Sequence, residues 1–122
     1  MPSSERVPDF CRGDVVKVPF PYTDRATRQR RPALVISAGE LQRDHGLLWV
    51  LMITSAENRR WPGDLILADL DTAGLPAPSV IRTAKIATIE AADVEPLGSV
   101  GESLVTEALA RVAGIIGIPV TD

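Results

Sequence analysis

Short apolar runs separated by clusters of turn residues are the feature that most limits how this chain can fold. Residues 32–36 and 47–53 are continuous apolar runs with the length and β-propensity of buried strands. A shorter strand is predicted at residues 64–68, and one or two more within residues 79–89. Short strands at close intervals, without an internal repeat, are typical of an all-β domain.

The first strand is predicted where residues 16–20 alternate between apolar and polar side chains. The Arg-Gly-Asp at residues 12–14 is interpreted as the turn from which this strand starts. Proline has no amide hydrogen to donate within a sheet. Pro19 and Pro21 therefore predict that the strand lies at a sheet edge or ends early.

The two ends of the chain are predicted to differ. Residues 1–11 lack periodicity and are expected to form a flexible tail, while residues 12–119 form a single domain. Near the C-terminus, Ser99 and Glu102 fit a helix-capping box. After it, apolar residues recur at helical spacing on one face, namely Leu104, Val105, Ala108, Leu109, Val112 and Ile116. A terminal helix that packs on the β-domain is therefore expected.

One cysteine and one histidine limit the possible metal sites. Cys11 has no partner for an internal disulfide, and one thiol with one imidazole does not make a zinc site. No cofactor is expected. His45 lies in a stretch interpreted as a turn, so it is assigned a structural or exposed position and no role as a general base.

No apolar run approaches the roughly 20 residues of a membrane span and the start is polar, so a cytoplasmic location is expected.

The charges are distributed unevenly along a chain whose net charge is -3. Residues 1–61 contain ten Lys and Arg against seven Asp and Glu, whereas residues 62–122 contain three against nine. The net charge alone would argue against a nucleic-acid partner. Because a polyanion responds to the local field of a groove, this asymmetry still allows a positive groove on an acidic protein.

Five motifs follow one another along the chain. They are Gly13-Asp14 before the first strand, Arg31-Pro32-Ala33-Leu34-Val35, a strand ending in Thr54-Ser55, a later pair containing Ser79–Arg82 and Lys85-Ile86, and Glu95–Gly98 before the terminal helix. In this order they resemble the MazF/PemK family of toxins, over roughly residues 12–117. No single motif is specific, but the series is.

The resemblance implies an SH3-like β-barrel with a C-terminal helix and a homodimer whose interface helps to form an RNA groove. A single monomer peak in size-exclusion chromatography would contradict the dimer. It further implies the toxin of a type II toxin–antitoxin pair, with an antitoxin whose disordered acidic segment occupies that groove. The implied activity is metal-independent, sequence-directed cleavage of single-stranded RNA, leaving 2′,3′-cyclic phosphate and 5′-hydroxyl ends.

The chemistry of RNA cleavage suits two residues of these motifs. RNA carries its own nucleophile in the 2′-hydroxyl, so the enzyme needs positioning, proton transfer and stabilisation of phosphorane charge. Arg31 is predicted to provide that stabilisation, because its guanidinium donates in parallel to two phosphate oxygens. Thr54 is predicted to donate its hydroxyl to a non-bridging oxygen. Both are catalytic residues by the resemblance, although a strand-end threonine can equally bond local backbone.

The proton acceptor is not identified from sequence. Some family members carry a glutamate a few residues before the arginine, whereas residues 25–29 here contain no carboxylate. Asp24 lies earlier, and the role is not transferred to it. Either Arg31 and Thr54 suffice, a water or a phosphate oxygen accepts the proton, or the enzyme is slow or altered.

Further residues are candidates for substrate binding: Arg25, Arg28, Arg30, Ser55, Trp61 and Arg82. The loop arginines could steer phosphate or simply belong to a solvated turn. Trp61 could stack on a base or serve a protein interface. Arg82 and Lys85 would point to opposite faces of a regular strand, so only one is expected to reach substrate.

Two other functions are compatible with the same fold. One is a non-enzymatic toxin that binds protein, as in a related family that poisons DNA gyrase through the end of its terminal helix. The other is a degenerate toxin that retains only antitoxin binding. The presence of both Arg31 and Thr54 favours the ribonuclease.

Overall fold

The computed structural model describes residues 7–19 and 30–119 of the 122-residue chain. The strands are β1 (Asp14–Pro19), β2 (Arg30–Val35), β3 (Leu47–Ser55), β4 (Leu65–Leu67), β5 (Ser79–Glu90) and β6 (Glu95–Ser99). The helices are α1 (Gly39–His45), α2 (Leu70–Ala73) and α3 (Glu102–Ile116), with a 3-10 turn at Ala91–Asp93.

The six strands form one antiparallel sheet in the order β4-β5-β3-β2-β1-β6. The sheet curls into a half-barrel, and α3 follows the last strand. This architecture confirms the predicted small, mainly β barrel with a C-terminal helix. The predicted strand at residues 79–89 is a single long strand, β5.

The two faces of the sheet bury separate apolar clusters, and this explains the continuous apolar runs of the sequence. Along β2, Ala33 and Val35 join the first cluster, while Leu34 and Ile36, the residue just after the strand, join the second. Alternate residues of a strand point to opposite faces, so a strand buried on both sides is apolar at every position. Each fully buried Leu or Val contributes about 1.5–3 kcal/mol to folding.

The segment before β1 is packed against the domain. Phe10 is only 5% exposed and belongs to the first cluster. Its amide donates to Gln42 Oε1 at 2.9 Å, and Gln42 Nε2 donates to the Pro8 carbonyl at 2.7 Å. Pro8 and Phe10, which the prediction placed in a flexible tail, therefore contact the domain, and the Phe10 side chain packs in the first cluster. Residues 1–6 of the predicted tail lie outside the described residues.

β1 lies inside the sheet, between β2 and β6. Of the two predicted alternatives, an edge position or an early end, the edge position is wrong, because β6 comes from the far end of the sequence and pairs with β1, starting with Asp14 opposite Ser99. Pro19 is the last residue of β1, and Phe20 and Pro21 lie outside the described residues.

The terminal helix is present where predicted, but it starts differently. Gly101 is the N-cap of α3, without a side-chain hydrogen bond, and Ser99 is the last residue of β6. The capping box is therefore wrong, because Ser99 is committed to the sheet. Four residues of the predicted apolar face pack in the second cluster, namely Leu104, Ala108, Leu109 and Val112. Val105 is buried outside that cluster, and Ile116, in the last turn, is 62% exposed.

The predicted turn before β3 belongs to a short helix, α1. None of its residues is buried, so it has no apolar stripe that would reveal it in the sequence. His45 is exposed at its end, which agrees with the assignment of this residue as structural or exposed.

Two glycines with the same backbone conformation differ in their surroundings. Gly74 ends α2 at φ +75°, where a β-carbon would collide with the Leu97 carbonyl of β6. Gly46 ends α1 at φ +70°, where a β-carbon would meet nothing within 4 Å.

Gly46→Ala is expected to lower the free energy of unfolding by about 1 kcal/mol, the cost of the left-handed backbone. Gly74→Ala is expected to lower it by about 3 kcal/mol, because the collision adds to that cost. Urea denaturation measures both, and equal losses would contradict the prediction.

Candidate functional site

Arg31 and Thr54 come together because their strands are neighbours in the sheet. Ala33 of β2 pairs with Met52 of β3, and the same register continued by two residues brings Arg31 opposite Thr54. The two residues line the same two pockets. A strand pair is a rigid support, so the backbones that carry the guanidinium and the hydroxyl keep a fixed relative position.

The first of these, the polar pocket, has a volume of about 200 Å³. Its lining contains three cations and, within the part of the chain that the structure describes, no carboxylate; the residues are Arg31, Met52, Ile53, Thr54, Asn58, Arg82 and Lys85. Clustered cations with a hydroxyl donor suit an anion such as a phosphate.

The second, the apolar pocket, has a volume of about 220 Å³ and shares Arg31, Ile53 and Thr54 with the first. Its other lining residues are mostly apolar: Pro32, Ser55, Leu75, Pro76, Ala77, Pro78 and Ser79. A ligand with a charged group in one pocket and a flat apolar group in the other would touch Arg31 and Thr54 from both sides. A nucleotide has this form.

Arg82 and Lys85 both line the polar pocket, although a regular strand would point them to opposite faces. The cause is an irregularity in β5. Leu51 of β3 pairs with Ile86 and Ile53 pairs with Ile81, so two steps along β3 face five along β5. The extra residues bulge out of the ladder, and the strict alternation of faces is lost there.

Arg82 is held from several directions. Its side chain is 11% exposed and lies 3.4 Å from Asp64 Oδ2, whose side chain is 2% exposed. Its Nη2 donates to the Arg59 carbonyl, and its guanidinium lies 4.2 Å from the centre of the Trp61 ring. Trp61 therefore contacts Arg82, and the base stacking or interface role expected from its sequence stays a prediction.

Asp64 was not identified from sequence, although the turn that holds it has a clear signature. The Asp64 amide donates to the Trp61 carbonyl, with Pro62 at the second position and Gly63, at φ +89°, at the third. This is the composition of a type II turn. Asp64 Oδ2 accepts from the Trp61 amide at 3.0 Å, so the turn aims the carboxylate at Arg82.

Asn58 is a second residue that sequence analysis missed. Its Nδ2 donates to Thr54 Oγ1 at 2.6 Å, and it lines the polar pocket. Ser55 begins the turn that carries it, and Ser55 Oγ accepts from the Glu57 amide at 3.1 Å. An asparagine four residues after the threonine, in a turn, was the available signal.

Arg30 does not join the pockets, although it was predicted to bind substrate. Its Nη1 donates to the Asp93 carbonyl at 3.2 Å and lies 3.7 Å from Glu95 Oε2. Adjacent residues of a strand point to opposite sides, which separates Arg30 from Arg31. The predicted binding residues Arg25 and Arg28 lie outside the described residues.

Residues 7–19 and 30–119 contain neither a cluster of metal ligands nor a helix suited to a membrane. Over residues 7–19 and 30–119, no three or more His, Cys, Asp or Glu side chains cluster as metal ligands would. Over the same ranges, no helix has the length and apolar character to cross a membrane.

Comparison with known proteins agrees with the geometry. The family model of PemK-like, MazF-like toxins of type II toxin–antitoxin systems matches residues 11–116. The form II MazE-MazF structure from Deinococcus radiodurans matches with a TM-score of 0.71 at 22% identity, over 93% of this chain and 98% of that one. No match was found among curated proteins.

Two mycobacterial structures are similar as well. An endoribonuclease in complex with its cognate antitoxin, from a mycobacterial species, matches with a TM-score of 0.71 at 18% identity, over 95% of this chain and 99% of that one. The Mycobacterium tuberculosis toxin MazF-mt6 matches with a TM-score of 0.69 at 17% identity, over 88% and 99%. At these identities the structural likeness establishes a shared fold.

Proposed function

The chain belongs to the PemK-like, MazF-like toxins of type II toxin–antitoxin systems, and from this premise we propose that it is an endoribonuclease acting on single-stranded RNA. The observation that carries the proposal is the position of Arg31 and Thr54 on the boundary between the polar pocket and the apolar pocket. A scissile phosphate in the first and an adjoining base in the second would place both side chains at the reacting centre.

The reaction needs no cofactor to supply a nucleophile. The ribose 2′-oxygen attacks the adjacent phosphorus, the bond from phosphorus to the 5′-oxygen breaks, and a 2′,3′-cyclic phosphate forms. Arg31 donates to the oxygens of the phosphorane, where negative charge accumulates, and Thr54 donates to a non-bridging oxygen. A water or a phosphate oxygen accepts the 2′-hydroxyl proton, and water protonates the leaving 5′-oxygen.

The apolar pocket supports an unpaired base as the neighbouring group. Pro76 and Pro78 offer flat apolar surfaces, while Ser55 adds a hydroxyl at the rim. A base reaches such a pocket only when it is unstacked, and this favours single-stranded RNA over a duplex. The contacts made there would select bases and direct cleavage to particular sequences.

The proposed partners are a cognate antitoxin and a second copy of the chain. The Deinococcus relative is a MazE-MazF complex, and one mycobacterial relative was solved with its antitoxin. An acidic antitoxin segment would compete with RNA for the polar pocket, because both are anionic. Failure of excess antitoxin to reduce RNA binding would contradict shared occupancy.

Cleavage in the presence of a chelator tests the proposal. The purified protein is incubated with a long single-stranded RNA in excess EDTA, and the fragment ends are mapped. Discrete cuts with 2′,3′-cyclic phosphate and 5′-hydroxyl ends are expected. Intact RNA from a folded protein would overturn the proposal and favour a degenerate toxin or a protein-binding one.

The protein-binding alternative rests on the end of α3. Ile115, Ile116 and Ile118 are between 56% and 62% exposed, which gives this end an apolar surface. Growth inhibition separates the two functions: a toxin that binds protein through these residues would keep its toxicity in an Arg31→Ala variant, and a ribonuclease would lose it.

A further inference from the structure

The hydroxyl of Thr54 has a single hydrogen, and its direction decides whether Thr54 can donate to a phosphate. Asn58 Nδ2 lies 2.6 Å from Thr54 Oγ1, and both residues line the polar pocket. We propose that Asn58 is a positioning residue, which orients the Thr54 hydroxyl so that its hydrogen is directed to a bound phosphate oxygen. This inference rests on the proposed ribonuclease function.

The hydrogen-bonding capacity of the groups supports this direction. An amide nitrogen can only donate, so Thr54 Oγ1 is the acceptor in this bond and keeps its own hydrogen for another partner. The cations that line the pocket, Arg31, Arg82 and Lys85, are donors only and cannot accept that hydrogen. A phosphate oxygen is the acceptor that such a pocket is suited to receive.

Asn58 is held at both ends of its short segment. Its backbone N–H donates to the Ser55 carbonyl at 3.1 Å, and this bond closes the turn after β3. On the other side, the Arg59 carbonyl accepts from the buried Arg82. The backbone on either side of the Asn58 side chain is therefore anchored beside Thr54, which reduces the ordering that this side chain needs when substrate binds.

The opposite orientation of the amide makes a different prediction. If the Asn58 side-chain oxygen faced Thr54, the Thr54 hydroxyl would donate its hydrogen to that oxygen and could not donate it to the phosphate. The substitution Asn58→Asp enforces that arrangement with almost the same shape, because a carboxylate only accepts. Asn58→Ala removes the constraint and lets the hydroxyl rotate.

The test is a double-mutant cycle on RNA cleavage, with Asn58→Ala and Asn58→Asp each made in the wild type and in Thr54→Val. In the wild type, Asn58→Ala is expected to lower kcat about tenfold with KM within about twofold, and Asn58→Asp to lower kcat about 100-fold. In Thr54→Val, which has no hydroxyl to orient, Asn58→Ala is expected to change the single-turnover rate by less than about twofold.

Two controls make the outcomes distinct. Glu57→Ala, in the same exposed turn, is expected to leave kcat unchanged, and the thermal unfolding of every variant reports whether it folds. An Asn58→Ala loss of the same size in both backgrounds, or no loss in the wild type, would overturn the positioning role while the ribonuclease function stands. A wild-type protein that leaves RNA intact would overturn both.

Discussion

Replacing Arg31 with alanine is expected to lower the rate of RNA cleavage about a thousandfold, with little change in stability. The phosphorane carries more negative charge than the ground-state phosphate, so a guanidinium in place before the reaction stabilises the transition state more than the substrate. Arg31 lies at the shared wall of the two pockets, where it would meet that charge. Single-turnover cleavage at saturating RNA measures the effect.

Arg30→Ala is the matched control for this prediction, because it removes the same charge from the adjacent residue of β2. Arg30 contacts Asp93 and Glu95 instead of the pockets, so its loss is expected to change kcat by less than about threefold. Arg31→Lys should recover only part of the rate, since an ammonium lacks the two-pronged fork. Similar losses for Arg30→Ala and Arg31→Ala would mean that the arginines act only through their general charge.

Replacing Asp64 with alanine is expected to lower the free energy of unfolding by about 3 kcal/mol. The Arg82 side chain is 11% exposed, and without the carboxylate it would remain largely buried without a counter-charge. The Trp61 amide would also lose its acceptor. The expected loss lies at the lower end for buried pairs because the contacts are long, at 3.4 Å. Urea denaturation gives the value.

Two comparisons separate this ion pair from surface charges. Glu95→Ala, which removes the exposed partner of Arg30, is expected to change stability by less than about 0.5 kcal/mol. Combining Asp64→Ala with Arg82→Met should restore part of the loss, because the stranded charge is removed. A double variant less stable than Asp64→Ala would indicate that the Trp61 stack and the Arg59 contact, rather than the charge, make Arg82 important.

The main elements of the fold could be predicted because burial leaves a local pattern. β2 and β3 are buried on both faces, and their sequences are therefore apolar at successive positions. α3 shows its inner face through Val105 and Ala108 at helical spacing. Where burial leaves no such pattern, as in α1, the element was missed. The capping box failed for a related reason: Ser99 has the right local neighbours, but its backbone is engaged by β1.

The residues of the candidate site also fall into two groups, those that the sequence identified and those that it did not. Arg31 and Thr54 were accessible from sequence because each stands at the end of an apolar strand within an ordered series of motifs. Asn58 and Asp64 were not, since their importance depends on what they contact across the fold. Arg30 and Arg31 look alike in sequence, and only the alternation of the strand sends one to Glu95 and the other to the pockets.

By itself, the sequence determined five of the six strands, the terminal helix and the residue types of the proposed chemistry, because each of these leaves a pattern within a short stretch of the chain; β6 was not predicted. The tertiary structure alone decided which of those residues meet. It paired β6 with β1, and it bulged β5 so that Arg82 and Lys85 reach one pocket. It also placed the side-chain amide of Asn58 within hydrogen-bond distance of the Thr54 hydroxyl. Such contacts join residues distant in sequence, whose meeting depends on how the whole sheet curls and packs, and no short stretch of sequence encodes that.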